Sequence, residues 1–254
     1  MSAPSLESRP LGTTPAGSRS QKEASRWVRS MFGRVAPRYD FANHLLSANI
    51  DRYWRRRAVA GVQDILRRPG ARVLDLACGT GDLLVALERE AGRGLIGGDF
   101  CHPMLTGARA KLDRERLHSA LIESDALALP FAASSVDLVT IAFGYRNLAD
   151  YAAGLAEMRR ILRPGGALAI LEFTQPPNRA FASLYNWYAR HILPVIGGLV
   201  SGAPEAYRYL PESVRKFPAA PELAGMMRAA GFVAVDWEYL TFGIVALHIG
   251  RADG

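Results

Sequence analysis

The sequence predicts a doubly wound α/β domain built on a mostly parallel sheet, and three observations carry that expectation. From Val73 to Phe173, apolar runs of strand length alternate with amphipathic stretches of helix length. A glycine-bearing turn, Cys78-Gly79-Thr80-Gly81, leads from the first of these strands into a helix. Near the end, Phe232 to Leu240 and Gly243 to Gly250 read as two strands with no helix between them, an antiparallel hairpin at the sheet edge.

Taken in order, residues 1–21 are rich in Ser, Pro, Gly and Thr and poor in large apolar side chains, so disorder is expected there and one domain over 22–254. Trp27, Val28, Met31, Phe32 and Val35 then recur at helical spacing up to Pro37. A second helix is expected from Ser47 or Asp51 through Trp54, Ala58, Val62 and Ile65, stopping before Pro69-Gly70. Both precede the first strand, which leaves 22–68 free to form a helical lid over the sheet's C-terminal edge. Arg52, Arg55, Arg56 and Arg57 crowd part of the second helix, either as a solvated face or as a contact for acidic lipid head groups.

The run Val73-Leu74-Asp75-Leu76-Ala77 has the apolar character of a strand buried on both faces. Gly79 and Gly81 follow it, removing the Cβ atoms that would keep a ligand off the backbone, and Asp82 suits a helix N-terminus. A dinucleotide fingerprint wants a third glycine at 84, where this chain has Leu84. The loop is therefore less like a phosphate cradle than like the first motif of S-adenosylmethionine (SAM) methyltransferases, whose ligand carries no phosphate.

Gly94 to Asp99 reads as the second strand. Asp99 lies where an open α/β sheet offers a carboxylate to ribose hydroxyls, and it equally suits a cap for the helix from Pro103 to Arg114. Leu117 to Ser124 is the third strand, and Asp125-Ala126 at its end offers an acceptor for an adenine amino group with room for the ring. Asp at such a place is also a turn former.

Ser135 to Phe143 is the fourth strand, running into the polar loop Gly144-Tyr145-Arg146-Asn147. A helix from Tyr151 to Leu162 ends at Arg163-Pro164-Gly165-Gly166, and Ala167 to Phe173 is the fifth strand. The alternation is then interrupted over 176–218 by a dense aromatic and aliphatic stretch broken by Pro194 and Gly197-Gly198. This reads as a helical cap on the domain, or as one whose inner face lines an apolar tunnel and whose outer face touches lipid. Glu222 to Ala230 is the last helix.

Composition sets wider bounds. With 254 residues, 49% hydrophobic and 22% charged, the chain has an ordinary globular make-up. The net charge of +7 favours an acidic partner, nucleic acid or an anionic membrane, although 28 of the 31 basic residues being Arg also fits a GC-rich genome. Cys78 and Cys101 have no metal-ligand spacing and read as packed thiols in a reducing compartment. No signal-peptide core and no run of 18 apolar residues is seen, so nothing is expected to span a membrane and the expected location is cytoplasmic, either free or peripheral to the inner face of the plasma membrane.

Seven stretches together resemble one family, the ubiquinone/menaquinone biosynthesis C-methyltransferases. They are MFGRVAPRYDFANHLLSANIDRYW at 31–54, VLDLACGTGD at 73–82, SDALALPF at 124–131, FGYRNL at 143–148, LRPGGALAILEF at 162–173, YRYLPESVRKFP at 207–218 and the terminal TFGIVALHIG. The first SAM motif is widely shared, whereas the full set in this order is specific, and the likeness runs from about Val28 to the last strand.

The resemblance implies a Rossmann-like class I methyltransferase fold with seven strands, SAM as cofactor, and methyl transfer to a ring carbon of a polyprenylated quinol, with demethylmenaquinol favoured over the ubiquinone precursor. The implied cofactor contacts are Asp75, Gly79, Thr80, Gly81, Asp99, Phe100, Asp125, Ala126 and Ala142; the family often has Ser at this last position. Arg146 is expected to stabilise a developing phenolate, with Asn147 or Tyr145 orienting the ring. His248, Asp40, Tyr207 and Arg208 are further candidates, and the base stays unassigned. An RNA methyltransferase is the rival that the charge suggests, but no RNA-binding module or cysteine nucleophile motif accompanies it, and no nucleic acid partner is expected. A non-catalytic SAM-binding scaffold would tolerate loss of Arg146-Asn147. The oligomeric state is left open, a homodimer included.

Overall fold

In the computed structural model, residues 12, 13, 15, 17–36, 44, 47, 49–191 and 204–253 are described, with backbone alone at 204 and 207. The N-terminal helices are α1 (Gln21–Val35) and α2 (Ile50–Gly61). The wound part follows as β1 (Val73–Leu76), α3 (Asp82–Ala91), β2 (Ile96–Asp99), α4 (His102–Glu115), β3 (Ala120–Glu123), β4 (Val136–Ala142), α5 (Tyr151–Ile161) and β5 (Leu162–Phe173). Then come α6 (Arg179–His191), α7 (Pro204–Lys216), α8 (Ala220–Ala229), β6 (Phe232–Leu240) and β7 (Val245–Ala252).

The seven strands form one sheet in the order β3-β2-β1-β4-β5-β7-β6. The first five are parallel, while β7 pairs antiparallel with both β5 and β6, so the expected mixed sheet is present. β7 inserts between its neighbours and leaves β6 on the edge, where Val233, Trp237 and Tyr239 are exposed.

The alternation of strand side chains splits the core in two. Val139, Ile141, Leu168 and Ile170 face one way and pack with Leu155, Met158, Leu223 and Met227 of α5 and α8. Leu138, Ala167, Ala169 and Leu171 face the other way, against Trp54 and Ala58 of α2 and Leu83, Leu84 and Leu87 of α3. Each such leucine contributes roughly 1.5–3 kcal/mol on burial.

Three expectations are corrected. The second helix does not run unbroken to Ile65: it stops at Gly61, and a separate turn, Gln63–Leu66, rotates Ile65 and Leu66 into the core. Arg163-Pro164-Gly165-Gly166 does not sit outside a shorter strand but bulges within β5, because pairing jumps from Val136↔Leu162 to Leu138↔Ala167. Gly166 is hemmed in there, since a Cβ would lie 2.9 Å from the Arg163 carbonyl oxygen and 3.0 Å from that of Asp137.

The third concerns only the described part of 1–21: residues 1–11, 14 and 16 lie outside the described set, while Gly12, Thr13 and Pro15 are buried and Ser20 caps α1 by accepting from Glu23 N–H. Within the insertion, the apolar residues Ile192, Leu193, Val195, Ile196, Leu199 and Val200 fall outside the described residues. Among the described ones, no helix is long and apolar enough to cross a membrane.

Candidate active site

The strand order reverses direction between β1 and β4, and a cleft opens outside their C-terminal ends, where open α/β sheets bind ligands. Both strands leave the sheet through residues with left-handed backbone, Ala77 at φ 50° and Phe143 at φ 58°. These turns bend the chain away from the strand ends and leave an open volume of about 720 Å³.

Gly79 forms the floor. Its φ of +55° disfavours a side chain, and a Cβ there would meet no protein atom within 4 Å, projecting into open space. The Gly79 N–H is directed at Asp99, whose Oδ2 accepts it at 2.9 Å, while Asp99 Oδ1 accepts from Cys101 N–H at 2.8 Å. Asp99 therefore anchors the start of α4 and still faces the cleft. Burial pushes its carboxyl up to about 6, against the pull of those amides.

Phe100, Ala126, Ala142 and the exposed Asp125 also line the cleft, with Ser25 and Phe32 of α1 opposite. Asp125 makes the turn allowed for in the sequence, its Oδ1 accepting from Leu127 N–H at 2.9 Å. An adjoining hollow shares Ala77, Gly79, Ala142 and Phe143 with the cleft and adds Asp75, Thr80, Asp82 and Arg55. Gly81 lines neither; at φ 88° it is the N-cap of α3.

Asp75 is fully buried, accepts from Thr140 Oγ1 at 2.7 Å, and has no hydrogen-bond partner for Oδ2. Burial raises its carboxyl to about 7. Two desolvated carboxylates beside the glycine cradle fit a ligand that brings positive charge, and SAM carries both a sulfonium and an ammonium. At the hollow's rim Asp82 pairs with Lys111 and with Arg55, which also pairs with Asp51 and lies over the Phe143 ring. Burial opposes ionisation of Asp82, but these cations outweigh it and hold its carboxyl below the ordinary range.

The three consecutive polar candidates face three ways, because they form a 3-10 turn. Asn147 lines the cleft. Arg146 does not: its guanidinium makes a buried pair with Glu172 Oε1 at 2.8 Å and stacks on Phe173, while its own N–H donates to Glu172 Oε2 at 3.1 Å. Arg146 is thus held by Glu172 and is not among the residues that line the cleft.

Tyr145 is fully buried, stacked on Tyr151 with its hydroxyl donating to the Tyr151 carbonyl, and does not line the cleft. His248 lies under α8, donating from Nε2 to Ala220 O, and burial lowers it to about 4. Arg208 is exposed, whereas Asp40 and the Tyr207 side chain are outside the described residues.

Some participants escaped the sequence. Glu172 was visible only as a lone acid in the apolar run LAILEF, a signal for a buried partner. Tyr209, two positions beyond Tyr207, is buried against Trp27 and donates to Asn147 Oδ1 at 3.0 Å. Trp54, Phe143 and Phe173 form an aromatic cluster beside the hollow, with ring centroids 4.8 to 5.9 Å apart.

A sequence profile of the ubiE/COQ5 methyltransferase family matches residues 18–252. The chain belongs to the ubiE/COQ5 methyltransferase family. It is 52% identical to the demethylmenaquinone methyltransferase of Thermus thermophilus, over 87% of this chain and 99% of that one. Identity is 46% to the enzyme of the same name from Deinococcus radiodurans, covering 93% and 96%. It is 44% to the ubiquinone/menaquinone biosynthesis C-methyltransferase UbiE of Syntrophotalea carbinolica, covering 88% and 93%.

Among solved structures, a SAM-dependent methyltransferase from Aquifex aeolicus matches with TM-score 0.54 at 19% identity, covering 76% of this chain and 88% of that one. The [4+2]-cyclase SpnF matches with TM-score 0.57 at 16% identity, covering 76% and 80%. At such identities the likeness is one of fold, the Rossmann-like methyltransferase fold. With the family established, this member is a SAM-dependent methyltransferase enzyme.

Proposed function

We propose that the enzyme methylates a ring carbon of demethylmenaquinol, producing menaquinol. The observation that carries this is the 52% identity to a relative of that name, extending over 99% of the relative's length. SAM, held at Gly79 and Asp99, would supply an electrophilic methyl group that replaces the proton on the ring carbon, leaving S-adenosylhomocysteine and a proton as the other products.

The chain's share of the work is to bind, orient and keep out water. Gly79 and Asp99 hold the floor of the cleft, and Asp75 and Asp99 favour positive charge above it. Asn147 offers a polar group at the wall, and Trp54, Phe143 and Phe173 form an apolar side that excludes water. Fixing nucleophile and methyl group in line contributes roughly 7–11 kcal/mol.

The same reading places the enzyme at a bilayer, where a polyprenylated substrate resides. α6 buries only Ala189 yet carries Leu184, 64% exposed, and Trp187, 55% exposed, and Phe242 beside it is 80% exposed. Exposed Arg179 and Arg190 lie at the two ends of α6, and exposed Arg52 and Arg56 on α2, suiting anionic head groups. We take the protein to be a peripheral enzyme of the cytoplasmic leaflet.

The test is incubation with methyl-labelled SAM and, separately, reduced demethylmenaquinone, a reduced ubiquinone precursor and total RNA. Label in demethylmenaquinol is expected. Label in the ubiquinone precursor alone would reassign the substrate, and label in RNA alone would overturn the quinol reading.

A further inference from the structure

Gly12 and Thr13, which lie ahead of the family-matched span, are docked against the wall of the cleft. Thr13 N–H donates to Leu148 O at 2.8 Å, and Thr13 is 6% exposed. Gly12 runs so close to the Ala149 carbonyl that a Cβ would collide with it. Leu148 and Ala149, like Asn147, line the cleft. The family match begins at residue 18, after this contact.

The Thr13 side chain completes a relay. Tyr209 donates its hydroxyl hydrogen to Asn147 Oδ1 at 3.0 Å, and Thr13 Oγ1, 2.7 Å from the Tyr209 oxygen, is left to donate to it. Asn147 Nδ2 donates to Phe143 O at 3.3 Å. The amide of the one member of the Tyr145-Arg146-Asn147 turn that reaches the cleft is thus held from both ends, with its oxygen turned to Tyr209. Trp27 of α1 backs the Tyr209 ring at 5.1 Å between centroids. Three segments far apart in sequence meet on one side chain.

We propose that the segment carrying Gly12 and Thr13 is a strap that, through Thr13 and Tyr209, fixes the orientation of Asn147 for methyl transfer. Thr13 and Tyr209 are positioning residues; neither is placed at the reacting atoms. The inference rests on the quinol-methylation reading only for its effect on turnover, and its structural part stands apart from it.

The test uses the full chain and the variants Thr13→Val, which keeps shape and backbone hydrogen bond but lacks the hydroxyl, Thr13→Ser, which keeps the hydroxyl, and Tyr209→Phe. Amide hydrogen exchange over 144–149 should quicken in Thr13→Val and Tyr209→Phe, stay near wild type in Thr13→Ser, and leave 167–173 unchanged in all three. With demethylmenaquinol, kcat should fall about three- to tenfold in Thr13→Val, the range of one lost hydrogen bond, with KM for SAM within about twofold. The Thr13→Val/Tyr209→Phe double variant should be no worse than the poorer single. Unchanged exchange over 144–149, failure of Ser to restore it, or multiplicative loss in the double variant overturns the strap. A wild-type enzyme that methylates no quinol overturns the proposed substrate instead, and the strap is then decided by exchange alone.

Discussion

Asp99 and Gly79 are joined across the base of the cleft, Oδ2 accepting from the glycine N–H at 2.9 Å. The bond ties the end of β2 to the loop after β1, so the floor under the ligand is held by a buried carboxylate rather than by the loop itself. In Asp99→Asn one acceptor becomes a donor facing an N–H, and the negative charge is lost. Affinity for S-adenosylhomocysteine, measured by calorimetry, should drop about 10- to 100-fold, the range for a hydrogen bond to a charged group. An affinity within about threefold of wild type would count against this role for Asp99.

Burial lifts Asp75 to about 7 and Asp99 to about 6, so both are partly protonated near neutrality in the ligand-free enzyme. A cationic ligand favours their ionised forms. SAM should therefore bind more weakly as pH falls from 8 through 7 to 5.5, and binding near pH 6.5 should release protons, seen as a dependence of the calorimetric enthalpy on buffer. The sign for stability is opposite. The fold favours neutral Asp75, so its contribution is full below the unfolded carboxylate value of about 3.9 and is lost as pH rises through about 7. A pH-independent Kd over 5.5–8 would rule out the coupling.

Arg146 and Glu172 are 7% and 1% exposed and pair with each other, so removing either takes the opposite charge away from a buried ion. Arg146→Ala and Glu172→Ala should each lower the free energy of unfolding in urea by about 3–5 kcal/mol. The double variant should lose clearly less than the sum of the two. Additive losses would mean that the two side chains act independently.

Leu184, Trp187 and Phe242 present apolar surface that no described residue covers, flanked by arginines. Trp187→Asp with Phe242→Asp should abolish sedimentation with vesicles containing anionic phospholipid. The variant should keep wild-type affinity for S-adenosylhomocysteine, since neither residue lines the cleft. Binding to neutral vesicles alone would assign the contact to apolar insertion without the arginines.

By itself the sequence determined what depends on near neighbours. The strands of the wound part announced themselves by apolar runs, the turn at Gly79 by its glycines, and Asp99 by its place at a strand's C-terminal end, because pleat, helix repeat and turn preference act over a few residues. Only the tertiary structure decided which way Tyr145, Arg146 and Asn147 face. They are adjacent in the chain, yet one stacks in the core, one pairs with Glu172 and one reaches the cleft. Their partners lie on α5, β5 and α7, and Thr13 joins Tyr209 from the other end of the chain. Such pairings are set by which surfaces the folded layers press together and which buried polar groups must then be satisfied, and no local pattern encodes that.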